Sequence, residues 1–102
     1  MANRPIPILF SARAKREIDA AHTWWAEHSE ARALADAVAA ALRFIEAFPE
    51  ASPRVQIRGK WSTTRRASVA PLGYHLFYRY DERAGTILVR AFWHERRRPP
   101  RL

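Results

Sequence analysis

No cysteine occurs in the 102 residues, so disulfides and thiolate metal ligands are excluded, and the chain fits a reducing compartment. Glycine appears only as Gly59, Gly73 and Gly85, too few and too scattered for a phosphate-cradling loop. No apolar run reaches the ~18 residues a membrane span requires; the best stretch, Ala33 to Leu42, is broken by Asp36. Arg4 has no long apolar region behind it, so no secretory leader is expected and the expected location is cytoplasmic. His22 and His75 lack companions at metal-ligand spacing, no HExxH is present, and no serine triad can be assembled. No metal or cofactor is expected. Lysine is scarce as well, with only Lys15 and Lys60.

What the chain has is arginine, which supplies 16 of the 18 cations. A planar, bidentate donor suits phosphate or carboxylate held in a defined geometry. The charge is unevenly placed: residues 1–50 carry 6 Lys/Arg against 7 Asp/Glu, and residues 51–102 carry 12 against 3. A near-neutral half joined to a strongly basic one implies a face built for a polyanion or an acidic protein. With 48% hydrophobic and 12% aromatic residues, the chain is a folded domain rather than a basic tail. Its length fits a single domain over residues 1–102, with a basic tail at 94–102.

Pro5 and Pro7 keep the N-terminal segment extended and suit an edge strand. Ser11 stands where a helix N-cap belongs. Ile18, Ala21, His22 and Trp25 then mark one helical stripe, with Trp24 about 100° away from it. One of the two indoles flanks the core or is left for a partner. Ser29 is a possible second cap, and a second helix runs to Phe48 before Pro49, with Leu34, Val38, Ala41, Leu42, Ile45 and Phe48 as its apolar stripe. The short break implies an antiparallel helical hairpin.

The basic half reads as strands. One or two short ones are expected between Val55 and Val69, and Pro71-Leu72-Gly73 signals a turn. Tyr74 to Tyr80 alternates with Tyr74, Leu76, Tyr78 and Tyr80 on one face. These tyrosines are core against the hairpin or, less commonly, a base-stacking platform. Asp81 to Gly85 is a hairpin loop. Thr86 to Trp93 returns with Ile87, Val89, Ala91 and Trp93 on one side, and Leu88, Arg90 and Phe92 on the other, so it is expected to be central. The expected fold is α+β: an N-terminal edge strand, a helical hairpin, then an antiparallel sheet of three to four strands packed on the hairpin.

Three stretches carry a family likeness: "SARAKREIDAAHTWW", "ALADAVAAALRFIEAFPEASPR" and "RRASVAPLGYHLFYRYDERAGTILVRAFWHERRRP". Their order and spacing resemble the RelE/ParE superfamily of bacterial type II toxins over roughly residues 8–100. The closing His-x-Arg-Arg-x-x-Pro is more similar to the ParE branch. The resemblance implies a plasmid-stabilising, growth-arresting toxin that binds DNA gyrase and stabilises cleaved DNA. It also implies a cognate antitoxin, often a ribbon-helix-helix protein like ParD, that wraps the toxin and brings the pair to operator DNA. The RelE branch instead implies ribosome-dependent mRNA cleavage. That branch's lysine pair is missing here and no tyrosine follows Tyr80, so its chemistry has no direct counterpart. A third possibility is a non-toxic family member that only binds a protein.

Target contact is expected from Arg96, Arg97, Arg98 and Arg101, and from Arg65 and Arg66, which alternate across a strand; the alternatives are a solvated tail and charge that protects a sheet edge. Antitoxin contact is expected from Trp24, Trp61, Arg79 and Arg90, with ordinary peripheral packing as the alternative for the two tryptophans. No catalytic set is expected for a gyrase inhibitor. For a ribonuclease, His94 could protonate the leaving oxygen and Glu95 act as base, with Arg65, Arg66 or Arg90 on the phosphate. His94 and Glu95 are adjacent, however, and in a strand adjacent side chains point to opposite faces.

Overall fold

The computed structural model describes residues 6–28, 31–97 and 102. Its elements run β1 (Ile8–Phe10), α1 (Ala12–His28), α2 (Ala31–Ala47), β2 (Arg54–Ile57), β3 (Lys60–Val69), β4 (Tyr74–Asp81) and β5 (Thr86–His94). The sheet has five strands in the order β1-β5-β4-β3-β2, more than the three to four expected from the sequence. The difference arises because Val55 to Val69 and its flanks divide into two paired strands, and because β1 joins β5 as a parallel edge. β5 is interior, as its apolar character implied.

Ser11 caps α1: its Oγ accepts the Ala14 N–H at 3.0 Å and donates to the Arg90 carbonyl at 3.0 Å. One hydroxyl therefore satisfies an orphan donor of the first turn and ties α1 to β5. Beyond Phe10, among the described residues, the edge of β5 has no strand beside it. There Glu17 accepts the Phe92 N–H at 3.3 Å while it pairs with Arg13, so α1 closes the edge that β1 leaves open. The expected cap Ser29 lies outside the described residues.

Both helices pack on one face of the sheet. Ala14, Ala21, Leu34, Val38, Ala41 and Ile45 meet Ala67, Val69, Leu76, Tyr78, Ile87, Val89 and Phe92 in one core, with Ile18, Trp25, Tyr74 and Tyr80 around it. The tyrosine stripe is thus core rather than a base platform. Fully buried Tyr78 donates its hydroxyl to the Pro49 carbonyl at 2.9 Å, which satisfies the group that burial would otherwise orphan. Phe48 departs from the expected stripe. The helix ends at Ala47, and Phe48, in the turn after it, is 58% exposed beside Phe44.

A bulge corrects the expected facing of β5. Phe77 pairs with Ala91 but Tyr78 pairs with Val89, which leaves Arg90 as the extra residue. Alternation therefore slips by one. Ile87, Val89 and Phe92 face the helices, whereas Ala91 and Trp93 lie on the opposite, open face with Phe77 and His75.

Candidate functional site

Two surfaces concentrate the chemistry. The first is the open face of the sheet. The parity of β3 puts Arg66 there and Arg65 on the helix side, since Arg66 pairs with Phe77 and Arg65 with core Tyr78. Arg79 pairs with Thr64 and with Leu88, also on the open face. Arg90, held out by the bulge, donates from Nη1 to Thr64 Oγ1 at 2.8 Å, so its guanidinium crosses over β4 to reach β3. Among the described residues, no carboxylate pairs with Arg66, Arg79 or Arg90. Trp93 lies at the far end of this face, with the Arg97 guanidinium 5.8 Å from its ring centroid.

His75 and Glu95 share that face. His75 Nε2 is 3.9 Å from Glu95 Oε2, and the Glu95 N–H donates to the Gly73 carbonyl at 2.8 Å. Desolvation and the nearby Arg66 charge lower the His75 pKa below its usual value, and Glu95 opposes them only in part. His75 is therefore neutral at pH 7. Gly73 makes the close approach possible: with φ +79° and a Cβ position only 3.2 Å from both Glu95 Oε1 and His94 Nε2, a larger residue there would push both side chains away.

The second surface is a groove of about 630 Å³ between α1 and the β4–β5 end. Trp24, Trp25, Tyr74 and His94 form its aromatic walls, and Arg16 and Arg96 are among its rim. Trp25 Nε1 donates to the Tyr74 hydroxyl at 3.1 Å, Tyr74 stacks on Phe92 at 4.7 Å, and His94 stands edge-on to Tyr74 at 4.9 Å. Trp24, the indole left off the core stripe, is half exposed and stacks on His28.

The residues singled out from sequence converge only in part. His94 lines the groove with its ring, but its Nε2 and Glu95 Oε1 both approach the Cβ position of Gly73, so the two groups meet at the β4–β5 end although strand alternation would have parted them. Arg65 points to neither surface: its Nη1 donates to the Glu50 and Ser52 carbonyls at 3.0 and 2.7 Å and clamps the loop after α2. Arg66 and Arg90 reach the open face, so of the five groups of the ribonuclease set Arg65 is the one turned to the helix side. Trp24 is in the groove, Arg79 and Arg90 are on the open face, and Trp61 projects from the start of β3, 65% exposed. Arg96 and Arg97 follow β5 in a turn, whereas Arg98 and Arg101 lie outside the described residues. His94 belongs to β5 rather than to a tail. The sequence-based reading gave His75 no role. The only available signal was the hairpin register that brings its neighbour Tyr74 opposite His94.

Among the described residues no group of side chains could hold a metal ion, and no helix is long and apolar enough to cross a membrane.

A mixed sheet with one face covered by a helical hairpin and the other left basic is the two-layer architecture of the RelE/ParE toxins. The chain superposes on the RelBE2 toxin–antitoxin complex of Mycobacterium tuberculosis with a TM-score of 0.65 at 21% identity, over 89% of this chain and 99% of that one. Residues 8–99 match the family described as the ParE toxin of the type II toxin-antitoxin system, parDE. The chain belongs to that family, and is the toxin of a type II toxin–antitoxin system. No curated protein sequence matches it.

Proposed function

We propose that this toxin acts in the cytoplasm by binding DNA gyrase and stabilising cleaved DNA, and that a cognate antitoxin of the ParD-like, ribbon-helix-helix kind holds it inactive. Membership of the ParE family supports the target. The observation that carries the binding mode is the concentration of arginines: Arg66, Arg79 and Arg90 share one face without carboxylate partners among the described residues. Such a surface can grip an anionic target without turnover. The antitoxin reading draws on the RelBE2 relative, solved as a toxin–antitoxin complex. The groove walled by Trp24, Trp25 and Tyr74 offers an aromatic trough with basic rims to such a segment. Operator DNA would be reached through the antitoxin.

Purified toxin added to gyrase and relaxed plasmid is expected to block supercoiling and to accumulate linear DNA once the complex is denatured. Full supercoiling in the presence of folded toxin would sink the proposal.

A ribosome-dependent ribonuclease is the second reading, and His75 is what favours it. A neutral imidazole 3.9 Å from a carboxylate and next to Arg66 is a credible general base. On that reading His75→Gln abolishes cleavage of translated mRNA, whereas a gyrase poison carrying the same change still traps broken DNA.

A further inference from the structure

We infer that the open face of the sheet, centred on Arg66, Arg79 and Arg90, is a binding surface for the phosphodiester backbone of DNA. The inference rests on the gyrase reading for its choice of DNA, and on the geometry for the rest.

The three arginines come from three neighbouring strands, β3, β4 and β5. Adjacent strands lie about 4.8 Å apart, and diagonal neighbours on one face are within reach of long side chains. Arg66 stands opposite Phe77, and Arg79 is two residues further along the same face of β4. To bond Thr64, which is itself opposite Arg79, the Arg90 guanidinium must pass over β4 at that level. The three arginines are therefore rooted around one short stretch of β4, with the Arg90 head lying above it. Phe77 and Ala91 are buried beneath them and give an apolar floor. Arg66 and Arg79 are exposed, and among the described residues their side chains have no hydrogen-bond or ion-pair partner. Arg90 donates one hydrogen bond, from Nη1, out of the five N–H donors that a guanidinium carries. The acidic groups on this face sit at its margins. Asp81 accepts the Ala84 N–H in the β4–β5 turn, and Glu95 is beside His75.

Charge alone would also suit an acidic protein, but the distribution of apolar side chains favours phosphate. Protein interfaces are anchored by exposed aromatic residues in a hydrophobic patch. The exposed aromatics of this chain lie elsewhere: Trp24 on α1, Phe44 and Phe48 at the end of α2, and Trp61 at the start of β3 with the helix-side parity of Arg65. Among the described residues the open face has one exposed large apolar side chain, Leu9 at its β1 edge, and otherwise presents planar, bidentate donors with a cation–π pair at its end, a phosphate-binding composition.

The test measures fluorescence anisotropy of a labelled DNA duplex, its separated strands and an RNA strand of the same sequence, with the full chain and without gyrase. If three phosphates are neutralised, raising salt from about 0.05 to 0.2 M weakens duplex binding on the order of 40-fold. The double substitution Arg66→Gln with Arg79→Gln removes two of those contacts and is expected to leave a loss of about 3- to 4-fold over the same range. Arg32→Gln with Arg43→Gln removes equal charge from the exposed side of α2 and is expected to bind DNA like the parent. Circular dichroism and thermal melts confirm that each variant is folded. Three results overturn the inference: no DNA binding, equal losses in both double variants, or RNA bound at least tenfold more tightly than DNA. Gyrase inhibition without DNA binding would remove this inference and keep the gyrase reading, whereas DNA binding without gyrase inhibition would do the reverse.

Discussion

Replacing Arg65 and Arg66 one at a time separates the two faces of β3, because each change removes the same charge from adjacent positions. Arg65 is half-buried, and its Nη1 donates to two carbonyls of the loop that follows α2. A charge-assisted hydrogen bond contributes about 1.5–3 kcal/mol when shielded and much less when exposed. The bond to Ser52, a buried residue, belongs at the lower end of that range, and the exposed bond to Glu50 adds about 0.5 kcal/mol. Arg65→Gln should therefore cost about 2 kcal/mol. With an unfolding entropy of about 2.1 cal/mol/K per residue, a chain of this length loses roughly 9 °C of melting temperature. Arg66→Gln, exposed and without a partner among the described residues, should stay within about 0.5 kcal/mol. Differential scanning calorimetry measures both, and gyrase inhibition measured well below either melting point supplies the second axis. Arg65→Gln is expected to keep inhibition and Arg66→Gln to weaken it. Equal melting temperatures, or a more destabilised Arg66 variant, would refute the placement of these side chains.

Ser11→Ala removes both the cap of α1 and the donor to the Arg90 carbonyl. It should destabilise by about 2 kcal/mol in urea titration, while Ser11→Thr retains most of the stability. The His75 pKa is lowered on folding, so the unfolded chain binds its proton first as pH falls. This contribution to stability is full above the unfolded value of about 6.5 and is lost as pH drops through the folded one. Melting curves from pH 7.5 to 5 should thus fall less steeply for His75→Gln than for the parent; parallel curves would contradict the assigned shift. Trp24→Ala, at a half-exposed position, should leave stability within about 0.5 kcal/mol yet lengthen no residence time with antitoxin, and a dissociation rate raised at least tenfold is expected by surface plasmon resonance.

Much of the fold was legible because it depends on local patterns. Ser11 as a cap, the α2 stripe from Leu34 to Ile45, the tyrosine face of β4 and the proline-marked edge strand each follow from a period or a single residue's backbone preference. Adjacent pairs were legible only up to a choice. Helical and strand geometry required Trp24 and Trp25, and Arg65 and Arg66, to diverge. Which member went inward depended on contacts such as Trp25 with Tyr74 and Arg65 with the loop carbonyls, made with residues far along the chain.

The bulge at Arg90 was not legible at all, because β5 is apolar on both faces and its alternation gives no clue to a slip. Its consequence reaches the function. In strict alternation His94 would share a face with Arg90, beside Arg66 and Arg79, and a histidine would stand among those cations. With one residue inserted, His94 turns to Tyr74 and the α1 groove, and Trp93 takes the open face opposite His75. A single extra residue in one strand therefore turns the His94 ring against Tyr74, and only its Nε2 reaches back past Gly73 toward Glu95. The cations remain together on the open face, as a binding surface requires, and His75, facing Glu95, is the imidazole that strand parity places beside them.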